Sequence, residues 1–181
     1  MYNLHRTEGI ILSATDFGEA DRIYNIYTKD FGKISVLARG IRLEKSKLRS
    51  HLGLYSLVRL SFIEGKEFMR LTDAEEILRL PYDERACASL KKALSFVERL
   101  IKGQEKDEVV WNLLVGVLSN TGCLTTGGFE GLFRARLLHR LGYVSSQKQI
   151  ITDNNWPDAA DGEGADYIRK IYELGLKMSQ L

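Results

Sequence analysis

Between positions 38 and 49 the chain reads Ala38-Arg39-Gly40-Ile41-Arg42-Leu43-Glu44-Lys45-Ser46-Lys47-Leu48-Arg49. Arg39, Arg42, Lys45, Lys47 and Arg49 thus face a single acid, Glu44, and Lys33 stands on the strand-like run just before them. Several cations within mutual reach and few competing acids suit a polyphosphate chain, because each neutralised phosphate releases condensed counterions. The window holds Gly40 and Ser46 and no long apolar run, so it reads as a basic, flexible segment leaving a small sheet. Lys33, Arg39, Arg42, Lys45, Lys47 and Arg49 are the candidate nucleic-acid contacts. The plain alternative is a solvated, charged loop.

Aromatic rings are the second requirement of such a site, since an unpaired base stacks on an exposed ring. Phe17, Tyr24, Tyr27, Phe31 and Tyr55 are the candidates. Strand alternation sends Tyr24 and Tyr27 to opposite faces, so at least one belongs in a core. Covalent chemistry finds less support. Glu64-x-Lys66 has the spacing of a metal-dependent nuclease, but Gly65 between apolar strands makes it a hairpin turn. Asp16, Glu19 and Asp21 cluster in a turn and are better suited to turn hydrogen bonds or to pairing with Arg22 than to a cation. His5, His51 and His139 share no ligand spacing with Cys87 or Cys123, which argues against zinc. There is no nucleophile elbow, and Gly127-Gly128 lacks the lysine of a phosphate loop. The expectation is a protein without catalytic residues or cofactor.

Composition sets the frame. The 181 residues can bury a real core, and a charged fraction of 28% with 44% apolar residues is that of a globular protein. The net charge of +2 hides an uneven distribution. Residues 33–49 hold six basic side chains and one acid, whereas 153–166 hold five acids and no lysine or arginine. Such segregation steers a polyanion to one face. Two separated cysteines fit a reducing compartment. No apolar run is long enough to span a membrane and no signal-peptide pattern opens the chain, so a cytoplasmic place is expected.

These residues need a scaffold. Strands are predicted over 5–13, 21–28, 33–38, 55–63 and 68–74, separated by Gly-containing turns. The long irregular insert falls between the third and fourth, and 45–52 can supply a short helix there. That layout is an oligonucleotide-binding (OB) β-barrel. After Pro81 the period becomes helical, with helices predicted over 83–102, 108–120, 129–141 and 166–179, and a polar loop over 145–164. The fold class is therefore α+β, an OB-fold barrel (residues 1–80) followed by an α-helical domain (81–181). Arg134, Arg136 and Arg140 lie on the third helix, and Arg136 and Arg140, four apart, share a face.

The N-terminal half resembles the RecO family of bacterial recombination mediators. The likeness runs through Thr7-Glu8-Gly9-Ile10-Ile11-Leu12, Gly18-Glu19-Ala20-Asp21-Arg22-Ile23, Tyr27-Thr28-Lys29-Asp30-Phe31-Gly32-Lys33-Ile34, Ala38-Arg39-Gly40 and Lys45-Ser46-Lys47-Leu48. Phe133-Arg134-Ala135-Arg136-Leu137-Leu138 and Leu141-Gly142-Tyr143 are similar to its helical domain. The resemblance implies a DNA repair protein that binds single- and double-stranded DNA and anneals complementary strands. Its implied partners are RecR and the single-strand-binding protein, with which it helps load RecA. The acidic, apolar tail of the latter is an implied ligand of Arg136 and Arg140. Many members carry a four-cysteine zinc site after the Leu-Gly-Tyr element; this chain has Val144-Ser145-Ser146-Gln147-Lys148-Gln149 there. A protein-docking adaptor and an RNA-binding barrel are the alternatives.

Overall fold

The computed structural model describes residues 3–79, 83–153, 155–156 and 163–180. It divides into two compact units, one formed by Met1–Pro81 with Ile101–Trp111, the other by Tyr82–Leu100 with Asn112–Leu181. The position expected to separate barrel from helices, Pro81, lies outside the described residues.

The first unit is a closed five-stranded barrel in the order β1-β2-β3-β5-β4, with β1 Leu4–Phe17, β2 Asp21–Thr28, β3 Gly32–Ala38, β4 Leu57–Ile63 and β5 Met69–Leu78. This is the OB-fold architecture, a partly Greek-key barrel with few free edges. β1 outruns the expected nine residues because it pairs twice, with β4 through Leu4–Ile10 and with β2 through Gly9–Phe17. Gly9 stands where the two ladders overlap, and a Cβ there would press on the Ile26 side chain. β5 likewise runs past Ala74 because β4 pairs with it as far as Leu57↔Leu78. Closure comes from a short parallel pairing, Val36↔Met69 and Leu37↔Arg70.

Inward positions fill the barrel with Ile11, Ile26, Ile34, Val36, Val58, Leu60 and Phe62, each no more than 1% exposed. The basic insert is tied to this core. Ile41 and Leu52 are buried in it and Leu48 packs against it. The segment is thus anchored, which corrects the expectation of a flexible one. Its apolar residues are too sparse to form a run, yet each is placed to cap the barrel. Within it, Lys47–His51 form a single 3-10 turn.

The second unit holds α1 Glu84–Leu100, most of α2 Glu108–Ser119, α3 Phe129–Arg140, the one-turn α4 Gln149–Thr152 and α5 Glu163–Ser179. Asp83 caps α1 by accepting the Ala86 N–H at 2.7 Å. Leu132, Ala135, Ile151, Ile168 and Ile171 form the core around α3, α4 and α5. The stretch 145–164, expected as loop, contains α4 because Ile151 is fully buried. Of the acidic run, Asp158 and Asp161 lie outside the described residues. Among the described residues no helix is long and apolar enough to cross a membrane.

Candidate nucleic-acid interface

The antiparallel registers of β1, β2 and β3 put Ser13, Thr15 and Phe17, then Ile23, Asn25 and Tyr27, then Lys33, Ser35 and Leu37 on one outer face. Arg39 continues the β3 row. Lys33 and Arg39, six residues apart at about 3.3 Å each, bracket roughly 20 Å of this face. Between them runs a polar ladder in which the Asn25 amide donates to Ser13 Oγ at 3.0 Å and Ser35 Oγ–H donates to Asn25 Oδ1 at 2.7 Å. A surface with cations at its ends and uncharged hydrogen-bonding groups in its middle can track a sugar-phosphate chain without repelling it.

The insert contributes its cations unequally. Lys45, Lys47 and Arg49 are exposed and, among the described residues, carry no ion pair. Arg39 is exposed beside Lys66 and Arg70. Arg42 is different. Its Nε lies 3.5 Å from the Asp16 carboxylate and its Nη1 donates to the Gly18 carbonyl at 3.3 Å. Asp16 also holds Arg22 at 2.7 Å, and that carboxylate raises the Arg22 pKa. Asp21 completes the strap by accepting the Gly40 N–H at 2.7 Å. Arg42 is therefore chiefly a buckle between the insert and the β1–β2 turn. All six expected contacts, Lys33, Arg39, Arg42, Lys45, Lys47 and Arg49, lie on β3 and the insert that follows it, and Arg42 is the one of them turned toward Asp16. Lys66 and Arg70 went unrecognised in the sequence because they come from the β4–β5 connection and the start of β5, about thirty residues away.

Of the candidate rings, Phe17 is 43% exposed, while Tyr24 is 2% and Tyr27 0% exposed. Tyr24 points into the barrel. Tyr27 points outward but is covered by the segment Ile101–Trp111, and its hydroxyl donates to the Asp107 carbonyl at 3.3 Å. Phe31 and His5 pack edge-on and face-on against Phe62, so Phe31 is committed to the core. Tyr55 is half-buried.

On α3 the expected pair separates. Arg136 is fully buried. Its Nε and Nη2 donate to the Ile150 carbonyl at 3.1 and 2.9 Å, and Nη2 also donates to the Asn155 carbonyl at 2.5 Å. The guanidinium lies 4.5 Å from the Trp156 ring centre. Burial, with the like charge of Arg140 adding, pulls its pKa down to about 10, so it stays charged at neutral pH. Arg136 is thus withdrawn from the surface role expected of it, and Arg140 is half-buried. The residues here do not suit a zinc ion, since no cysteine lies in 144–156 and the loop carbonyls are engaged by a guanidinium.

A cationic cleft of about 420 Å³ occurs instead between α1, α3 and α5, lined by Lys91, Lys92, Phe96, Arg99, Arg134 and Tyr172. Arg134 lies 5.6 and 5.5 Å from the ring centres of Phe96 and Tyr172. Glu130 offsets part of the charge, 2.7 Å from Lys92 and 3.8 Å from Arg134. The steps 88, 92, 95, 99 along α1 form a helical stripe that the sequence held, hidden by attention to the apolar face.

The family profile described as "Recombination protein O N terminal" matches residues 1–78. The chain is 31% identical over 145 residues to the DNA repair protein RecO of Rubrobacter xylanophilus, covering 78% of this chain and 58% of that protein. It is 30% identical over 123 residues to the DNA repair protein RecO of Bifidobacterium longum subsp. infantis, covering 65% of this chain and 51% of that protein. With the DNA repair protein RecO of Heliobacterium modesticaldum it shares 30% over 145 residues, 77% of this chain and 52% of that protein. The chain spans about half the length of the curated relatives it matches.

Proposed function

Because this chain belongs to the RecO family of DNA repair proteins, we propose that it is a non-catalytic mediator of recombination in the cytoplasm. In this reading the barrel unit binds single- and double-stranded DNA, the helical unit is the partner domain, and no covalent bond of the nucleic acid is altered. Its partners are RecR and the single-strand-binding protein, with which it helps load the recombinase. The observation that carries the reading is the trio Lys45, Lys47 and Arg49, exposed on the insert of a closed barrel that also presents Lys33 and Arg39. Cations that hold phosphates leave base edges free, and neutralised strands repel each other less. Both effects favour annealing of complementary strands.

Five phosphate contacts give a slope of about −3.5 for log affinity against log salt on single strands, at about 0.7 per contact. Reversing Lys45, Lys47 and Arg49 to Glu is expected to weaken single-strand binding ten-fold or more. The slope should then become shallower by about 2.1, at about 0.7 for each of the three contacts removed. A fluorescent-oligonucleotide salt titration measures both; unchanged affinity and slope would favour the adaptor reading. RNA and DNA oligonucleotides of one sequence in competition test the RNA alternative.

The cleft of Lys91, Lys92, Arg99 and Arg134 beside Phe96 and Tyr172 fits an acidic chain end with apolar side chains, the kind of tail the family resemblance implies. Arg134→Glu is expected to weaken binding of such a peptide by roughly ten-fold, the order of a lost charge-assisted contact. Peptide anisotropy measures it, and Arg140→Glu, outside the cleft, should have the smaller effect.

A further inference from the structure

At the end of the barrel where β1 stops and β5 begins, Phe17 and Phe68 meet edge to face, with ring centres 5.7 Å apart and planes at 69°. The two rings belong to a cleft of about 270 Å³ shared with Leu37, Arg39, Lys66, Glu67 and Arg70. This volume falls just below the range of about 300–1,000 Å³ usual for small-molecule sites. Phe17 is 43% exposed, an unusual position for a phenylalanine at a strand end beside cations. The cleft carries three cations against one carboxylate, Glu67. None of the three cations has an ion pair among the described residues. The β3 row that forms its wall continues into a second cleft lined by Lys33, Ser35, Glu64, Glu67, Phe68 and Met69, so the two clefts share Glu67 and Phe68.

We propose that this cleft is a subsite for an unpaired base, which stacks on Phe17 and Phe68 while Arg39, Lys66 and Arg70 hold the phosphates on either side of it. The proposal rests on the nucleic-acid reading above and deepens it by assigning a preference for single strands to two rings. A duplex keeps its bases stacked inside and offers an aromatic ring nothing to stack on, whereas its phosphates remain available to the insert. Lys45, Lys47 and Arg49 therefore serve single and double strands alike, and the Phe17–Phe68 pair serves single strands alone. The arrangement tolerates any sequence, because every base has a face to stack. The strand then runs along the outer row of β3 from Arg39 toward Lys33, past the Ser35–Asn25 ladder.

The test compares the full chain with Phe17→Ala, Phe17→Leu and Phe68→Ala for binding to an oligothymidylate and to a blunt duplex of equal length. Both Phe17 variants are expected to lose roughly five-fold or more on the single strand, and to change duplex binding by less than about two-fold. Leu keeps the apolar bulk but not the ring, so an unimpaired Phe17→Leu would overturn stacking. Equal losses on both substrates would overturn the single-strand assignment. If the variants bind both substrates as the unaltered chain does, the subsite falls while the phosphate-binding reading stands; if the unaltered chain binds neither substrate, both fall. Photo-crosslinking of an oligonucleotide bearing 5-iodo-deoxyuridine supplies a readout that does not depend on a variant's folding. Adducts on Phe17 or Phe68 are expected, and adducts confined to other rings would overturn the proposal.

Discussion

Arg134 and Arg136 stand two positions apart on α3 and end in opposite circumstances. Arg134 reaches the rim of a cleft, over Phe96 and Tyr172. Arg136 turns inward, where its planar fork joins two loop carbonyls and lies on Trp156, whose ring also meets Phe129 at 5.2 Å. One side chain thus ties Ile150 and Asn155 back onto α3. Lysine has a single charged point and cannot span both carbonyls while lying flat on the indole. Arg136→Lys is therefore expected to lower stability by about 2 kcal/mol or more, from lost charged hydrogen bonds and a desolvated cation–π contact. Urea unfolding measures it, with the less buried Arg134→Lys as the comparison. Arg42 shows the same lesson at the barrel. Its cation is shared with Asp16, and a charge already facing a carboxylate has less to offer a phosphate.

At the scale of elements, the covering segment Ile101–Trp111 decides which part of the barrel's outer face stays open. It packs where Gly32 has a φ of +61°, and a Cβ there would run into the backbone carbonyl of Glu105. It also buries Tyr27, whose pKa is pushed up to about 12 by burial, with the Asp107 charge adding. The unfolded chain releases this proton near the ordinary value of 10.0, the folded chain only near 12. The phenol's contribution to stability is therefore complete below pH 10 and drains away as pH climbs from 10 to 12, because the unfolded state ionises first. Tyr27→Phe is expected to show a smaller fall in urea midpoint between about pH 9 and about pH 11 than the unaltered chain. In an ultraviolet titration it should also lack the latest phenolate step. The period-two and helical patterns announced most elements in advance. They could not announce the cover, because a polar run such as Gly103-Gln104-Glu105-Lys106-Asp107 packs through its backbone, and hydropathy does not register backbone packing.

For the molecule as a whole, a net charge of +2 says little, and the placement of charge says more. The barrel unit sets Arg39, Lys45, Lys47 and Arg49 on the insert, Arg39 near Lys66 of the β4–β5 connection and Arg70 of β5, while the helical unit has its own cationic cleft. The sequence by itself determined the barrel, its five strands, the change to helices and the basic insert. Those features rest on local alternation, on turn residues and on charge clustered in one window, all of which neighbouring positions carry. The tertiary structure alone decided which cations stay open and which are spent, Arg42 on Asp16 and Arg136 on the loop carbonyls. It alone brought Phe17 to Phe68 and Arg39 to Arg70. Partners so distant along the chain meet only when the sheet closes on itself, and no local pattern encodes that meeting.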